Sequence, residues 1–128
     1  MEMTPDRWEH TSSYLHEVFG NEDAQLSTLT PRAVAAGLPD IAVSADVGRL
    51  LMILTSMTGG GSGARLAVEV GTLAGYSGIW IARGLAPNGK LYTVEPEKLH
   101  ADFAQEQFKI AGVADRVEQR QLRQTARR

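Results

Sequence analysis

The sequence has 128 residues, 43% apolar and 22% charged, which suffices for one globular core but is short for a complete nucleotide-binding α/β enzyme. It has no cysteine, which excludes disulfides and thiolate metal sites, and no apolar run near the roughly 20 residues that span a bilayer. The net charge of −2 is uneven: residues through Asp115 carry −6 and the thirteen that follow +4. That basic end lacks interleaved aromatic residues and any recognition motif, so it reads as a solvated strand end and tail, with no nucleic-acid or membrane partner. The polar N-terminus, Met1 to Asp6, is unlike a secretory signal, and a cytoplasmic location is expected.

Residues 7–19 have amphipathic helical spacing, with Trp8, Leu15, Val18 and Phe19 as apolar contacts and Gly20-Asn21 as the end. A second helical stretch over 22–36 is predicted to break at Pro31 and to close at Gly37-Leu38-Pro39. His10 and His16 lie here without acidic or histidine partners at ligand spacing, so they read as surface or packing residues. Ser44 suits an N-cap, and Asp46 in the first turn favours the positive end of the next helix. Val47, Leu50, Leu51, Leu54 and Met57 form a stripe predicted to face the core, with Met52 and Met57 as filler. Gly59 to Gly63 then reads as a flexible link. No G-K-[ST] follows, so a Walker-type phosphate loop is not indicated.

Leu66, Ala67, Val68 and Val70 read as a buried parallel strand. Gly71 stops it, Gly75 follows, and from Tyr76 the spacing of Ile79, Trp80, Ala82 and Leu85 is helical. Strand, glycine turn and helix make the first half of a βαβ unit, where backbone amides and a helix N-terminus face a cofactor. A dinucleotide fingerprint would read G-x-G-x-x-G and seat a pyrophosphate here. Glu69, two residues before Gly71, would repel it. The same carboxylate suits a positively charged cofactor, such as the ammonium and sulfonium of S-adenosylmethionine.

Residues 86–89 read as a turn and Lys90 to Pro96 as a second strand, ending in Glu95 twenty residues beyond Gly75. A carboxylate at that strand end lies beside a cofactor ribose and can accept both hydroxyl protons. A helix is predicted over 97–111, with Leu99, Phe103, Ala104, Phe108 and Ala111 on one side and Gly112 in a left-handed C-terminal turn. His100 reads as a solvated helix residue. Residues 116–121 alternate weakly, as in a third strand.

Three segments now resemble the cation-dependent O-methyltransferases of the caffeoyl-CoA and catechol type. They are S-A-D-V-G-R-L-L (44–51), V-E-V-G-T-L-A-G-Y-S (68–77), and G-K-L-Y-T-V-E-P (89–96) followed by A-G-V-A-D-R-V (111–117). The resemblance covers about residues 38–121 and implies an α/β fold. That fold is the N-terminal half of a Rossmann-like, doubly wound methyltransferase sheet preceded by helices. Residues 1–63 would be helical lead-in, 64–121 the S-adenosylmethionine-binding half and 122–128 an irregular basic tail. By this resemblance Glu69 and Gly71 would meet the methionine side of the cofactor and Ser77 its carboxylate. Glu95 would hold the ribose, while Gly75 and Tyr76 shape the loop.

The family often has a Thr where Val43 stands, and a Glu where Val47 stands that completes a capping box. Its divalent cation (Mg) is held by acids with no counterpart here, so no catalytic or metal-ligating residue is assigned, and the chain reads as truncated after the third strand. The first strand is central in the family's sheet. A free edge there predicts poor stability alone or burial in a homo-oligomer. The expected activity is methyl transfer to a small phenolic or catechol-type acceptor, the cation binding both diol oxygens. The alternative is a non-catalytic remnant that binds the donor or a partner subunit. A nicotinamide-dependent oxidoreductase is disfavoured by Glu69.

Overall fold

The computed structural model describes residues 2–122. Helices α1 (Pro5–Phe19), α2 (Ala24–Ala35) and α3 (Ala45–Gly61) precede β1 (Ala64–Val70), α4 (Tyr76–Gly84), β2 (Leu85–Glu95) and α5 (Lys98–Ile110). A 3-10 turn (Ala114–Arg116) leads into β3 (Val117–Gln121). The strands lie in the order β1-β2-β3, all parallel, with Glu69 opposite Thr93 and Leu91 opposite Val117. Parallel neighbours joined through helices are what the right-handed crossover produces, and α4 and α5 accordingly pack on the strands they connect. This strand order and direction are those of the half-sheet that the resemblance implies. Among the described residues no helix is long and apolar enough to cross a membrane.

The two faces of the sheet differ sharply. Ala67, Leu91 and Thr93 point towards α4 and α5, where Ile79, Trp80, Ala104 and Phe108 are buried with Leu26 and Leu29 of α2. Leu66, Val68 and Val70 alternate to the opposite face and are 61%, 68% and 84% exposed. The expectation of a buried β1 therefore holds for one face only. Among the described residues β1 is also the sheet's edge, since only β2 pairs with it.

Other expectations need correcting. The α3 stripe does not face the core: Leu50, Leu54 and Met57 are exposed. The side of α3 that packs is made of Ala45, Gly48, Met52 and Thr55, and α4 comes closest to it at Gly48 and Gly84. A Cβ on Gly48 would overlap the Trp80 indole, and one on Gly84 would overlap the Met52 carbonyl. Ser44 occupies the N-cap position of α3 but makes no side-chain cap bond, and regular helix geometry stops at Met57, before Thr58 turns extended.

Helix α2 is not broken at Pro31; it runs through it, held by burial of Leu26, Leu29 and Ala33, and Asp23 caps it by accepting from Leu26 N at 2.9 Å. Helix α1 buries no residue, so Trp8, Val18 and Phe19 are not core contacts. Residues 86–89 are not a separate turn but part of an eleven-residue β2, whose register against β1 shifts between Ala64 and Leu66. Leu99 is likewise exposed on α5, whereas Ala104 and Phe108 are buried and Gly112 takes φ +71°. The predicted basic tail falls largely on 123–128, outside the described residues.

Candidate functional site

The site forms where β1 and β2 end side by side. Chain reversal after β1 needs positive φ at Gly71 (+92°) and Gly75 (+85°), a region L side chains avoid. Gly71 N donates to Val94 O at 2.9 Å, so the turn stays stitched to β2, and Gly75 N closes it on Thr72 O at 2.9 Å. Between them Leu73 takes φ +49°, a strained position for a branched residue.

That loop wraps the Glu95 carboxylate. Thr72 N and Leu73 N donate to Oε2 at 3.0 and 2.8 Å, and Glu97 N donates to Oε1 at 3.1 Å. His100 Nδ1 lies 3.4 Å from Oε1. Burial pushes this carboxyl up, but the Leu73, Glu97 and Thr72 amides together with His100 outweigh it and hold Glu95 below its ordinary value.

A second chain of bonds lies behind the loop. Ser77 Oγ donates to Glu69 Oε1 at 2.5 Å, Thr93 Oγ1 donates to Oε2 at 2.8 Å, and the Thr72 and Thr93 hydroxyls meet at 2.6 Å. Burial pushes the Glu69 carboxyl above its ordinary value, and the two hydroxyls only partly offset this. Tyr76 OH donates to Glu22 Oε2 at 2.8 Å, tying the start of α4 to the α1–α2 connection, and His16 Nε2 is 3.4 Å from the other Glu22 oxygen. Burial raises the Tyr76 phenol strongly, and the Glu22 carboxylate adds to the rise.

A cavity of about 420 Å³ opens over this arrangement. Its walls are Ile41, Ala42 and Val43 on one side and residues 71–74 on another, with Tyr76, Ser77, Glu95 and His100 closing it. Gly71, Tyr76, Ser77 and Glu95 are thus brought together on its lining. Glu69 and Gly75 are not on it: Glu69 sits behind Ser77, and Gly75 packs against Phe108, where a Cβ would stand 3.1 Å from the ring.

His100 is not a solvated helix residue; its side chain is 18% exposed and faces Glu95. Sequence reasoning also missed Thr93, although period-two alternation puts it on the same face of β2 as Glu95. Thr72 and Glu22 carried no comparable signal, since each reaches its partner through long-range folding. Among the described residues, no group of three His, Asp or Glu is placed to hold a metal ion.

Known proteins share this chain's sequence and fold. The O-methyltransferase family profile matches residues 9–126. A catechol O-methyltransferase of Mycobacterium tuberculosis is 42% identical over 106 residues, covering 83% of this chain and 46% of that enzyme. A catechol O-methyltransferase of Niastella koreensis is 38% identical over 111 residues, covering 87% and 48%. The crystal structure of the Bacillus cereus O-methyltransferase in complex with SAH superposes with a TM-score of 0.83 at 37% identity, covering 91% of this chain and 51% of that one. The chain therefore spans about half the length of the relatives it matches. With nearly its whole length inside the profile, this chain belongs to the O-methyltransferase family.

Proposed function

We propose that this chain is the donor-binding half of an S-adenosylmethionine-dependent O-methyltransferase acting on small phenolic or catechol-type acceptors. The observation that carries the reading is Glu95: an ionised carboxylate at the end of β2, fixed by loop amides at the wall of a 420 Å³ cavity. A carboxylate in that place accepts from the ribose. Gly71 lets the donor approach the backbone, and Ser77 lines the methionine end with Glu69 behind it as the acid that suits an ammonium and a sulfonium. Gly75 and Tyr76 set the shape of the turn. Support for the donor comes from the Bacillus cereus relative crystallised with SAH, and for the acceptor class from the two catechol O-methyltransferases.

The divalent cation (Mg) belongs to the complete family fold, where it would bind both oxygens of a catechol and lower the pKa of the attacking one. The residues of this chain hold and orient the donor. Because the chain spans about half of its relatives, a non-catalytic donor-binding role is the second reading. A requirement for divalent metal in methyl transfer separates the two. The exposed apolar side chains of β1 favour a homo-oligomer.

Calorimetric titration with S-adenosylhomocysteine tests the donor reading. One saturable site is expected, weakened about tenfold or more in Glu95→Gln, since hydrogen bonds to a charged group are worth about 1.5–3 kcal/mol. No binding by a chain shown to be folded would sink it.

A further inference from the structure

Lone-pair accounting at Glu95 leads to a residue outside the motifs. A carboxylate offers about four in-plane acceptor positions, two on each oxygen. Both positions on Oε2 are taken by Thr72 N and Leu73 N, and one on Oε1 by Glu97 N. Among the described residues no other donor reaches the group, which leaves a single position, on Oε1. A vicinal diol brings two O–H donors, so Glu95 in this setting can serve only one of them.

His100 stands beside the vacancy. Its Nδ1 is 3.4 Å from Glu95 Oε1 without the alignment of a hydrogen bond, and neither ring nitrogen has a hydrogen-bond partner among the described residues. The ring lines the same cavity as Glu95 and is mostly buried there. In its charged form the ring lowers the pKa of Glu95; with the ring neutral and its proton on Nε2, the form that donating hydroxyls select, Nδ1 is an acceptor 3.4 Å from Oε1 on the same cavity wall. Two acceptors then lie side by side, at a separation that adjacent hydroxyls can bridge.

We propose that His100 is a ribose-binding residue: Glu95 Oε1 and His100 Nδ1 together accept the two vicinal hydroxyls of the donor nucleoside, one each. This rests on the donor reading above. It differs from the simpler scheme in which both Glu95 oxygens serve the ribose, because here Oε2 is spent on holding the loop. The ligand class is a cis-diol nucleoside, and discrimination against deoxyribose is shared between two side chains.

The test is calorimetric titration of the whole chain with S-adenosylhomocysteine and its 2′-deoxy and 3′-deoxy analogues, for wild type, His100→Ala, His100→Phe and His100→Asn. In wild type each analogue is expected to bind about five- to tenfold more weakly than the parent. In His100→Ala and His100→Phe the parent weakens by a similar factor. One of the two analogues then binds as tightly as the parent, while the other keeps its penalty. Phe retains ring volume without an acceptor, so packing alone cannot produce this loss of discrimination. Asn supplies an acceptor and restores part of it. If Ala and Phe variants keep both penalties, both hydroxyls go elsewhere and the assignment of His100 is overturned while the donor reading stands. If folded wild type binds none of the three compounds, the donor reading fails and the assignment falls with it.

Discussion

Glu69 and Glu95 end neighbouring strands, yet folding moves their proton affinities in opposite directions. Glu95 is held below its ordinary value of 4.5, so it binds fewer protons folded than unfolded. Its contribution to stability is present above pH 4.5 and is lost as pH falls through the lower folded value. Glu69 is raised above 4.5, so folding favours its protonated form, and its contribution declines as pH rises from 4.5 through the folded value. Thermal midpoints measured across roughly pH 3 to 8 should separate the two residues. Glu95→Gln should flatten the acid limb relative to wild type. Glu69→Gln should gain on wild type as pH rises, since Ser77 and Thr93 hydroxyls can turn to suit an amide. Parallel curves for wild type and Glu69→Gln would show that its carboxyl is not desolvated.

At the scale of elements, the decisive contact is α3 on α4. It is made by small residues, with Gly48 flat against Trp80 and Gly84 against the backbone of α3. Gly48→Ala should cost about 1–3 kcal/mol through overpacking, read from the urea midpoint at unchanged slope. Leu29→Ala, in the core, should cost about 2–5 kcal/mol. Leu54→Ala, on the exposed side of α3, should stay within about 0.5 kcal/mol. The contrast shows what the sequence could and could not carry. The strand–loop–helix order from β1 to α4, the parallel β2 ending in Glu95, and Gly112 as a helix stop were all legible, because each is written in local chemistry. The buried face of α3 was not. A hydrophobic stripe marks where a helix can bury apolar area, whereas Gly48, Met52 and Thr55 mark where another helix comes close, and only the fold reveals which side that is. His100 was misread for a related reason: its neighbour Glu95 approaches from the strand end, not from the helix that carries it.

For the molecule as a whole, the open face of the sheet is the feature that bears on association. Leu66, Val68 and Val70 stand on the exposed side of a strand that, among the described residues, is an edge with unpaired backbone groups, a combination that templates pairing with further chains. Light scattering coupled to size exclusion should show a mass that rises with concentration. Val68→Lys should hold the chain monomeric without changing its far-UV spectrum. A wild-type chain that stays a stable monomer over the same range would contradict the homo-oligomer reading.

The two amides that hold Glu95 have one more consequence, on the axis of time. Thr72 N and Leu73 N donate hydrogen bonds to a buried side chain rather than to a backbone ladder. Deuterium can therefore enter these positions only when the loop lifts from the carboxylate or the domain opens around it. Their exchange is a local clock for the site, expected to run slowly in the chain without ligand and faster in Glu95→Gln, where the charged acceptor is gone. A slow clock in the free chain would mean that Glu95 is seated before any ligand arrives, and that little ordering remains to oppose binding.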